Sequence, residues 1–360
     1  MLSPLVRKTG SGRDQARDIN IETDMKRIFI TGTAGFIGYH LARLLLDEGF
    51  TVQGYDGMTD YYDVTLKQRR HQMLLQSPRF TAVEGLLEDR VLLDRTVDAF
   101  APDVIVHLAA QAGVRYSMEN PRAYIDANVI GTFNVMEAAR RHKVEHLLMA
   151  SSSSVYGANA LMPFSETDKA DTQLTIYGAT KKANESMGHA YAHLYDLPTT
   201  MFRFFTVYGP WGRPDLAFYK FVDAILDGRP IDIYNHGEMY RDFTYVDDLV
   251  RGVRLLMDAV PVRPVDGVVA QGDSLSSVAP YRLVNIGNSD KVRLLDFVDA
   301  IEDALGIKAK RNYMDMQPGD LPATWANADL LKTLTGYQPQ TDLRDGIATF
   351  VAWYRAYAGK

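Results

Sequence analysis

The chain has 360 residues, of which 46% are hydrophobic and 23% charged, and its formal net charge is −6. The composition is ordinary for a folded protein, and the length fits two compact domains or one large α/β unit. The absence of an excess of basic residues argues against nucleic acid as a partner. The absence of cysteine excludes disulfides, thiolate nucleophiles and cysteine-bound zinc. The longest apolar runs are strand-length, which argues against a membrane partner, and the chain shows no signal peptide, so we expect a cytoplasmic protein.

Residues 1–24 are polar and without periodicity, and we interpret them as a disordered or non-native extension outside the fold. From residue 25 onward, short apolar segments alternate with amphipathic segments of helix length. This alternation predicts βαβ units and a parallel sheet with helices on both faces. The predicted helices cover 35–48, 89–100, 121–142 and 174–195, and the predicted strands are RIFIT (27–31), TVQGYD (51–56), RFTAVEG (79–85), DVIVHLA (103–109), HLLMASS (146–152) and PTTMFRF (198–204).

The pattern becomes less regular after Phe205, where the segment TVYGPWGRPD is rich in glycine and proline, and a second irregular stretch covers 261–280. A helix is predicted over 343–357. We therefore predict an α/β fold in which a doubly wound parallel sheet is followed by a smaller C-terminal α/β domain. Residues 25–205 would form the first domain, with 241–263 returning to it, and 206–240 and 264–360 would form the second.

The segment TGTAGFIG lies between the first strand and the first helix, and it carries Gly32, Gly35 and Gly38. Glycines there allow a tight turn and close approach of a pyrophosphate. The N-terminus of the helix, which includes Phe36 and Ile37, then faces the pyrophosphate. Asp56 ends the second strand, where a carboxylate accepts from an adenosine ribose and repels a 2′-phosphate. The combination predicts a Rossmann-type domain that binds NAD rather than NADP; the alternative is that Asp56 only starts a turn.

The segment YGATK places Tyr177 and Lys181 four residues apart on one helical face. A phenol has a pKa of ~10, and a neighbouring ammonium group favours the phenolate. Tyr177 is therefore predicted to take a proton from a sugar hydroxyl while hydride leaves the same carbon. The alternative is an exposed helix with a chance Tyr-x-x-x-Lys match, but the motif follows a dinucleotide-binding pattern and the serine-rich segment SSSSVYG.

These motifs resemble the extended short-chain dehydrogenase/reductase family, and the resemblance covers the chain from Met25 onward. It implies a serine partner for the Tyr–Lys pair, which matches Ser152, and a homodimer that pairs the helices 121–142 and 174–195. The segment HLAAQAGVRYS resembles the family's fourth-strand end and NVIGT another cofactor-side position. By this resemblance, the residues along the cofactor are His107, Leu108, Ala109, Ala110, Gln111 and Asn128.

Two positions depart from patterns in this family. The third strand usually ends in Gly-Asp-Leu, whereas Gly85-Leu86-Leu87 stands here, so the adenine would lose an acceptor. Related sugar dehydratases carry acidic residues in the serine-rich motif, and related decarboxylases usually carry a glutamate, whereas this chain has Ser153 and Ser154. The resemblance therefore disfavours dehydration and leaves oxidation at C4 with return of the hydride to the opposite face.

The segment RFFTVYGPWGRPD resembles UDP-glucuronate 4-epimerases, and the resemblance places Thr206 and Arg213 near the hexose C6 end. Arginine suits bidentate binding of a carboxylate; the alternative is an arginine in a surface ion pair. Glucuronate oxidised at C4 is a β-keto acid, so an epimerase must hold the carboxylate in a geometry that keeps carbon dioxide. The resemblance further assigns Arg241 to the diphosphate, Tyr234 and Asn235 to the uracil, and Asp320 to the uridine ribose.

His189 and His193 are four residues apart on a predicted helix, but no third ligand accompanies them, and we predict no metal site. Asp247 and Asp248 are interpreted as a helix start. The sequence thus predicts an NAD-dependent enzyme acting on a UDP-sugar. UDP-glucose 4-epimerase and UDP-glucuronate decarboxylase remain alternatives within the family, and an NAD-binding regulatory protein is the alternative outside catalysis.

Overall fold

The computed structural model describes residues 25–317 and 320–360, so the prediction for 1–24 lies outside the described residues. The strands alternate with helices through the first two hundred residues, as the sequence predicts. The strands are β1 (Arg27–Thr31), β2 (Thr51–Asp56), β3 (Phe80–Glu84), β4 (Val104–His107), β5 (His146–Ser152), β6 (Thr199–Phe204), β7 (Thr206–Tyr208), β8 (Ile231–Ile233), β9 (Tyr240–Arg241), β10 (Phe243–Tyr245), β11 (Tyr281–Ile286), β12 (Val292–Arg293), β13 (Arg311–Tyr313) and β14 (Ala323–Thr324).

The helices cover both faces of the sheet. Two short segments with tighter turns lie at Ser153–Tyr156 and Tyr234–Gly237. The α-helices are α1 (Phe36–Asp47), α2 (Val64–Leu74), α3 (Arg90–Phe100), α4 (Tyr116–Glu119), α5 (Pro121–Tyr124), α6 (Thr132–His142), α7 (Ile176–Tyr195), α8 (Ala217–Leu226), α9 (Val246–Leu256), α10 (Leu294–Leu305), α11 (Asp329–Thr335) and α12 (Leu343–Ala358).

Within the described part of the chain, seven parallel strands form the central sheet in the order β11-β6-β5-β4-β1-β2-β3. Successive residues of β1 enter different cores: Ile28 and Ile30 pack on one side, and Phe29 packs on the other. Every residue of β4 and β5 is buried, as expected for strands covered on both faces. The α/β class and the doubly wound parallel sheet are confirmed.

One strand of this sheet was not predicted. β11 pairs with β6 from Tyr281 opposite Thr199 to Ile286 opposite Phe204. The predicted division assigned 264–360 to the smaller domain, but 281–286 lies in the central sheet, because the irregular stretch 261–280 connects back to the sheet edge. α9 packs against α1, so part of 241–263 lies beside the first domain. The remaining domain boundaries stay a prediction.

The predicted helix over 121–142 is interrupted in the structure. Between α5 and α6, residues Ile125–Gly131 form a π-helical segment. A Cβ on Gly131 would lie 2.6 Å from the Leu87 Cβ, so this wider turn approaches the end of the third-strand region closely. π-helical segments inside helices are frequent at functional sites, and this one carries Asn128.

Candidate active site

A cavity of about 450 Å³ opens at the carboxyl ends of the central strands. This is the edge at which open α/β sheets bind ligands. Both the glycine-rich loop and the Tyr–Lys pair line it, and so does Arg213 from the second half of the chain. The predicted residues in its wall are Gly32, Gly35, Phe36, Ile37, Gly38, Asp56, Leu108, Ala109, Ala110, Gln111, Tyr177, Lys181 and Arg213.

The glycines of the glycine-rich loop leave no room for a Cβ. Gly32 has a φ of +83°, and a Cβ there would lie 2.8 Å from the Ala109 amide nitrogen. A Cβ on Gly38 would lie 2.0 Å from the Gly32 carbonyl oxygen. Gly35 precedes α1 and brings no side chain to cap its first-turn N–H groups. Backbone donors therefore face the cavity at a helix N-terminus, which suits a pyrophosphate.

The Asp56 carboxylate is fixed at the end of β2. Oδ2 accepts from the Ala34 N–H at 2.9 Å, and Oδ1 accepts from the Met58 N–H at 2.9 Å. Each carboxylate oxygen keeps a further lone pair, so the group can still accept from two ribose hydroxyls. The residues therefore fit the adenosine end of NAD.

The wall beside the third strand differs from the family pattern, as the sequence indicates. Leu86 lines the cavity where an aspartate was expected, and its carbonyl accepts from the Tyr55 hydroxyl at 3.0 Å. Glu88, two positions further on, also lines the cavity. The sequence does not mark Glu88 as a cavity residue, because the family pattern concerns only the position of Leu86.

Lys181 is buried beside β5. Its Nζ donates to the Ala150 carbonyl at 2.9 Å, and burial lowers its pKa to about 8. Burial raises the pKa of the Tyr177 hydroxyl, while the Ser152 side chain and the Arg213 charge act in the opposite direction. Burial thus favours the neutral forms of both Tyr177 and Lys181 in the free site. Formation of the Tyr177 phenolate therefore requires further positive charge.

The serines of SSSSVYG have different positions. Ser152 ends β5, and its Oγ accepts from the Ser154 N–H at 3.1 Å. Ser153 and Ser154 form the tight turn that follows. The cavity wall itself contains Ser151, whereas Ser152, Ser153, Ser154 and Thr206 lie beyond the wall. Ser152 nevertheless influences Tyr177 through its side chain, as the pKa shift shows.

Arg213 has an intramolecular partner. Its Nε and Nη2 donate to the two oxygens of Asp215 at 2.9 and 2.7 Å. The Tyr61 hydroxyl also donates to Asp215, at 3.3 Å. Arg213 thus reaches the cavity wall and forms an ion pair at the same time, so both sequence interpretations describe part of its environment.

The four residues assigned to the uridine diphosphate lie outside the cavity wall. Asp320 binds Arg115 at 2.9 Å, and the same guanidinium stacks 4.4 Å from the Tyr234 ring. Asn235 donates to the Glu238 carbonyl within its own turn. The guanidinium of Arg241 donates to the carbonyls of Tyr240 and Leu321, both at 2.8 Å, and burial lowers its pKa. Asp320 and Tyr234 thus share the Arg115 guanidinium, whereas Asn235 and Arg241 bind main-chain carbonyls.

Asn128 also lies outside the cavity wall. Its Oδ1 accepts from the Gln111 N–H at 2.8 Å, and its Nδ2 donates to the Gln111 carbonyl at 3.0 Å. The sequence predicted a cofactor-side position. The structure instead uses this buried amide to hold the backbone of a residue that lines the cavity, so any effect of Asn128 on a cofactor acts through Gln111.

An aromatic segment after β2 also belongs to the cavity, although it was not predicted from the sequence. Thr59, Tyr61, Tyr62 and Lys67 all line the cavity. Lys67 is buried, its Nζ donates to the Thr59 hydroxyl at 3.0 Å, and burial lowers its pKa. The signal was the run DYYDVTLK, in which two tyrosines and a lysine follow the Asp56 strand closely.

The two histidines of α7 have neighbours other than a metal. His189 Nε2 contacts the Ser276 hydroxyl at 2.9 Å, and His193 Nδ1 contacts the Val278 carbonyl at 2.9 Å. Among residues 25–317 and 320–360, no cluster of three or more His, Asp and Glu side chains could hold a metal ion. Asp247 and Asp248 lie in the first turn of α9, as predicted.

Comparison with known proteins places this geometry in a class. Residues 28–268 match the model of the NAD dependent epimerase/dehydratase family, and the chain belongs to that family. It is an extended short-chain dehydrogenase/reductase built on a Rossmann-like sheet, and NAD is the family's cofactor.

Particular relatives narrow the similarity. The chain is 56% identical to a protein of Rhizobium meliloti described as a probable UDP-glucuronate 4-epimerase, over 91% of this chain and 96% of that protein. It is 44% identical to UDP-glucuronate 4-epimerase 1 of Arabidopsis thaliana, over 92% of this chain and 77% of that one.

The structure is also similar to the crystal structure of UDP-glucuronic acid 4-epimerase from Bacillus cereus in complex with UDP-glucuronic acid and NAD. The TM-score is 0.82 at 31% identity, over 92% of this chain and 99% of that chain. Within the described ranges, no helix is both long and apolar enough to span a bilayer.

Proposed function

We propose that this chain is a UDP-glucuronate 4-epimerase, which interconverts UDP-glucuronate and UDP-galacturonate with NAD. The observation that carries the proposal is that Tyr177 and Lys181 of α7 line the same cavity as Arg213, which comes from the loop after β7. A base, its supporting cation and a carboxylate-binding arginine are the groups that oxidation and reduction of a uronic acid require. The relatives described above support the same substrate.

Bound NAD would supply the hydride acceptor and donor at the sugar C4. Tyr177 takes the proton of the C4 hydroxyl as the 4-keto sugar forms and returns it when the opposite epimer forms. Lys181 stabilises the phenolate through its positive charge. Its bond to the Ala150 carbonyl holds the ammonium group in place. Ser152 donates to the reacting oxygen from the end of β5.

Retention of the substrate carboxyl group is the second requirement. The 4-keto sugar is a β-keto acid, which loses carbon dioxide when the breaking C–C bond stands perpendicular to the carbonyl plane. Arg213 donates from Nη1, which has no hydrogen-bond partner among the described residues, to the carboxylate and holds it away from that geometry. Ser153, Ser154 and Thr206 add neutral donors at the same end of the sugar.

The uridine diphosphate extends toward the second half of the chain in this proposal. Arg241 meets the diphosphate, Tyr234 and Asn235 lie at the uracil, and Asp320 accepts from the ribose hydroxyls. In the structure, Arg115 forms an ion pair with Asp320 and stacks on the Tyr234 ring. Nucleotide binding therefore requires an exchange of partners in this group.

We further propose a homodimer. Apolar side chains are exposed on the π-helical segment and on α6 and α7, although such residues are usually buried. They lie on the two helical stretches that the family resemblance assigns to a four-helix bundle. Light scattering at micromolar concentration is expected to give the mass of two chains, and a Phe133→Glu substitution should shift it toward one. The exposed residues are Ile125, Ile130, Phe133, Ile176 and Leu194.

The function is tested by product analysis. Purified protein is incubated separately with UDP-glucuronate and UDP-glucose, and the sugars are followed by NMR. UDP-galacturonate from UDP-glucuronate supports the proposal. UDP-galactose as the main product would identify a UDP-glucose 4-epimerase, UDP-pentose with carbon dioxide a decarboxylase, and no turnover a binding protein. A cytoplasmic location remains a prediction, which cell fractionation would test.

A further inference from the structure

The loop that leads into Arg213 is held by its main-chain oxygens. The Pro210 carbonyl lies 2.9 Å from His40 Nε2. The Trp211 and Gly212 carbonyls both accept from Arg70 Nη2, the latter at 3.2 Å. Three successive carbonyls, the last directly before Arg213, are therefore bound by two side chains of the dinucleotide-binding half.

His40 reaches this loop from α1, the helix that begins at the glycine-rich loop. The side chain is buried, and its Nδ1 lies 3.0 Å from the Asp247 carboxylate at the start of α9. Its two ring nitrogens therefore each lie at hydrogen-bonding distance from an oxygen of the second half of the chain. His40 thus bridges the second half of the chain at two points, Asp247 and Pro210.

Arg70 reaches the loop from α2 and is fully buried. Besides its two bonds to the loop, its Nη1 donates to the Ala34 carbonyl and to the Tyr62 hydroxyl, both at 2.9 Å. Ala34 lies inside the glycine-rich segment, and Tyr62 lines the cavity. One guanidinium therefore ties the phosphate-binding loop, the aromatic wall and the Arg213 loop together, which the planar five-donor group of arginine allows and lysine does not.

The loop does not adopt a relaxed conformation by itself. Trp211 has a φ of +59°, in the left-handed region that residues with a Cβ disfavour. Such a backbone persists when its surroundings hold it. Next to it, Gly212 packs so closely that a Cβ would lie 2.5 Å from the Phe218 ring. The direction in which Arg213 leaves the loop thus depends on the bonds from His40 and Arg70.

We propose that His40 and Arg70 are positioning residues that set the place of Arg213 relative to the bound dinucleotide, and so determine how firmly the substrate carboxylate is held. The proposal rests on the proposed function of Arg213. It explains why two basic side chains are directed at carbonyls that carry no catalytic group. It also couples the phosphate-binding loop to substrate choice through Ala34 and Arg70.

The test uses the full-length, NAD-loaded protein with Arg70→Lys and, separately, His40→Gln. Arg70→Lys keeps the charge but cannot bind four acceptors. His40→Gln has both donors on a single nitrogen, so it cannot span Asp247 and Pro210 as the two ring nitrogens of His40 do. Arg79→Lys is the matched control, because Arg79 donates to a carbonyl of the same domain, that of Leu46, away from the loop. Two readouts are taken: amide hydrogen exchange of peptides covering 209–216, and turnover of UDP-glucuronate with its products.

Both variants should exchange amides of 209–216 roughly 10–100-fold faster, the range expected for losing a hydrogen bond to a charged group. Turnover of UDP-glucuronate should fall by a similar factor, and the fraction of decarboxylated UDP-pentose should rise; Arg79→Lys should change neither. Unchanged exchange in both variants would overturn the proposal that His40 and Arg70 hold the loop. Faster exchange with unchanged turnover and products would show that these contacts do not affect the substrate carboxylate.

If the wild type does not act on UDP-glucuronate, the proposed function and the role of these residues in carboxylate binding are overturned. Faster exchange in the variants would then still show that His40 and Arg70 hold the loop.

Discussion

The cofactor half and the substrate half of the site differ in how they are built. In the cofactor half, the glycine loop, Asp56 and the segment after β4 line one cavity, and their geometry is fixed by backbone contacts. In the substrate half, Arg213 pairs with Asp215, and Asp320 and Tyr234 both contact Arg115. One half is ready for its ligand, whereas the polar groups of the other are engaged with one another.

This difference indicates where binding should reorganise the protein. A dinucleotide meets N–H groups and a carboxylate that are already directed at the cavity, so little rearrangement is needed. In the proposed binding mode, a UDP-sugar competes with Asp215 for Arg213 and with Arg115 for Asp320. Such competition reduces affinity but penalises a ligand without the matching charges, so we expect specificity to arise in the substrate half.

The largest effect is expected where the two halves meet. Tyr177→Phe should lower kcat by roughly 10²–10⁴-fold, because the reaction loses its general base. Since the ring remains, NAD and UDP-glucuronate should bind nearly as in the wild type. Steady-state kinetics and calorimetry measure the two quantities, and turnover within threefold of wild type would contradict the assignment.

The second prediction concerns the substrate half. In the Tyr177→Phe background, where no turnover interferes, Arg213→Ala should weaken UDP-glucuronate binding by up to about 3–5 kcal/mol, the loss expected when a buried charge pair is broken. UDP-glucose, which has a hydroxyl at C6, should lose much less. The ratio of the two dissociation constants is therefore the decisive measurement.

Arg213→Ala also leaves Asp215 without its partner, which could itself disturb the site. Adding Asp215→Ala to the variant separates the two causes. If Arg213 binds the substrate carboxylate, the double variant stays as poor in UDP-glucuronate binding as the single one. Recovery in the double variant would assign the loss to the stranded Asp215 carboxylate instead.

The sequence predicted the strands of the cofactor half well because their signals are local. β1, β2 and β5 have the predicted bounds, and a strand end directly followed by glycines or by Asp56 must lie at the carboxyl edge of a parallel sheet. Of the residues predicted along the cofactor, all but His107 and Asn128 line the cavity. His107 is buried and contacts the Thr31 and Thr132 hydroxyls instead. Asn128 faces the Gln111 backbone instead, a contact that depends on the π-helical turn and is not encoded in any short motif.

The substrate half was harder to predict because its contacts join distant segments. Arg115 meets Asp320 across 205 positions of sequence, and Arg70 meets the Gly212 carbonyl across 142. β11 was missed for a related reason, since YRLVNI follows an irregular stretch and only its pairing with β6 makes it a strand. A motif gives the type of residue, but the partner follows only from the fold.

The third prediction tests the electrostatics of the cofactor half. Burial lowers the pKa of Lys181 from 10.5 in the unfolded chain to about 8 in the folded one. Between these values the unfolded chain holds more protons, so stability rises with pH. Lys181→Met removes this titration, so the stability advantage of the variant over the wild type should shrink by about 2–3 kcal/mol from pH 7 to pH 10.

Urea unfolding of NAD-free protein at the two pH values measures this difference. Comparing variant with wild type cancels the other groups that titrate in the same range. Lys220→Met is the control, because Lys220 is exposed. A stability difference for Lys181→Met that is the same at pH 7 and pH 10 would show that the buried ammonium is not destabilised in the folded chain.

The smallest effect is expected from Gly38→Ala, which tests whether the glycine loop is as rigid as the structure indicates. The added Cβ would lie 2.0 Å from the Gly32 carbonyl oxygen, so the backbone must shift, at about 1–3 kcal/mol of stability. Gly252→Ala in α9 is the matched control, since its Cβ would meet the Leu331 side chain at 3.5 Å, an ordinary contact. Both variants gain up to about 1 kcal/mol of helix propensity. Gly252→Ala should therefore be neutral or stabilising and bind NAD normally, whereas Gly38→Ala should be less stable and bind NAD more weakly while its UDP-binding half is unaffected. If both variants bind NAD equally well, the loop adapts to its ligand. The contrast between a rigid cofactor half and a substrate half whose polar groups are paired internally then no longer holds.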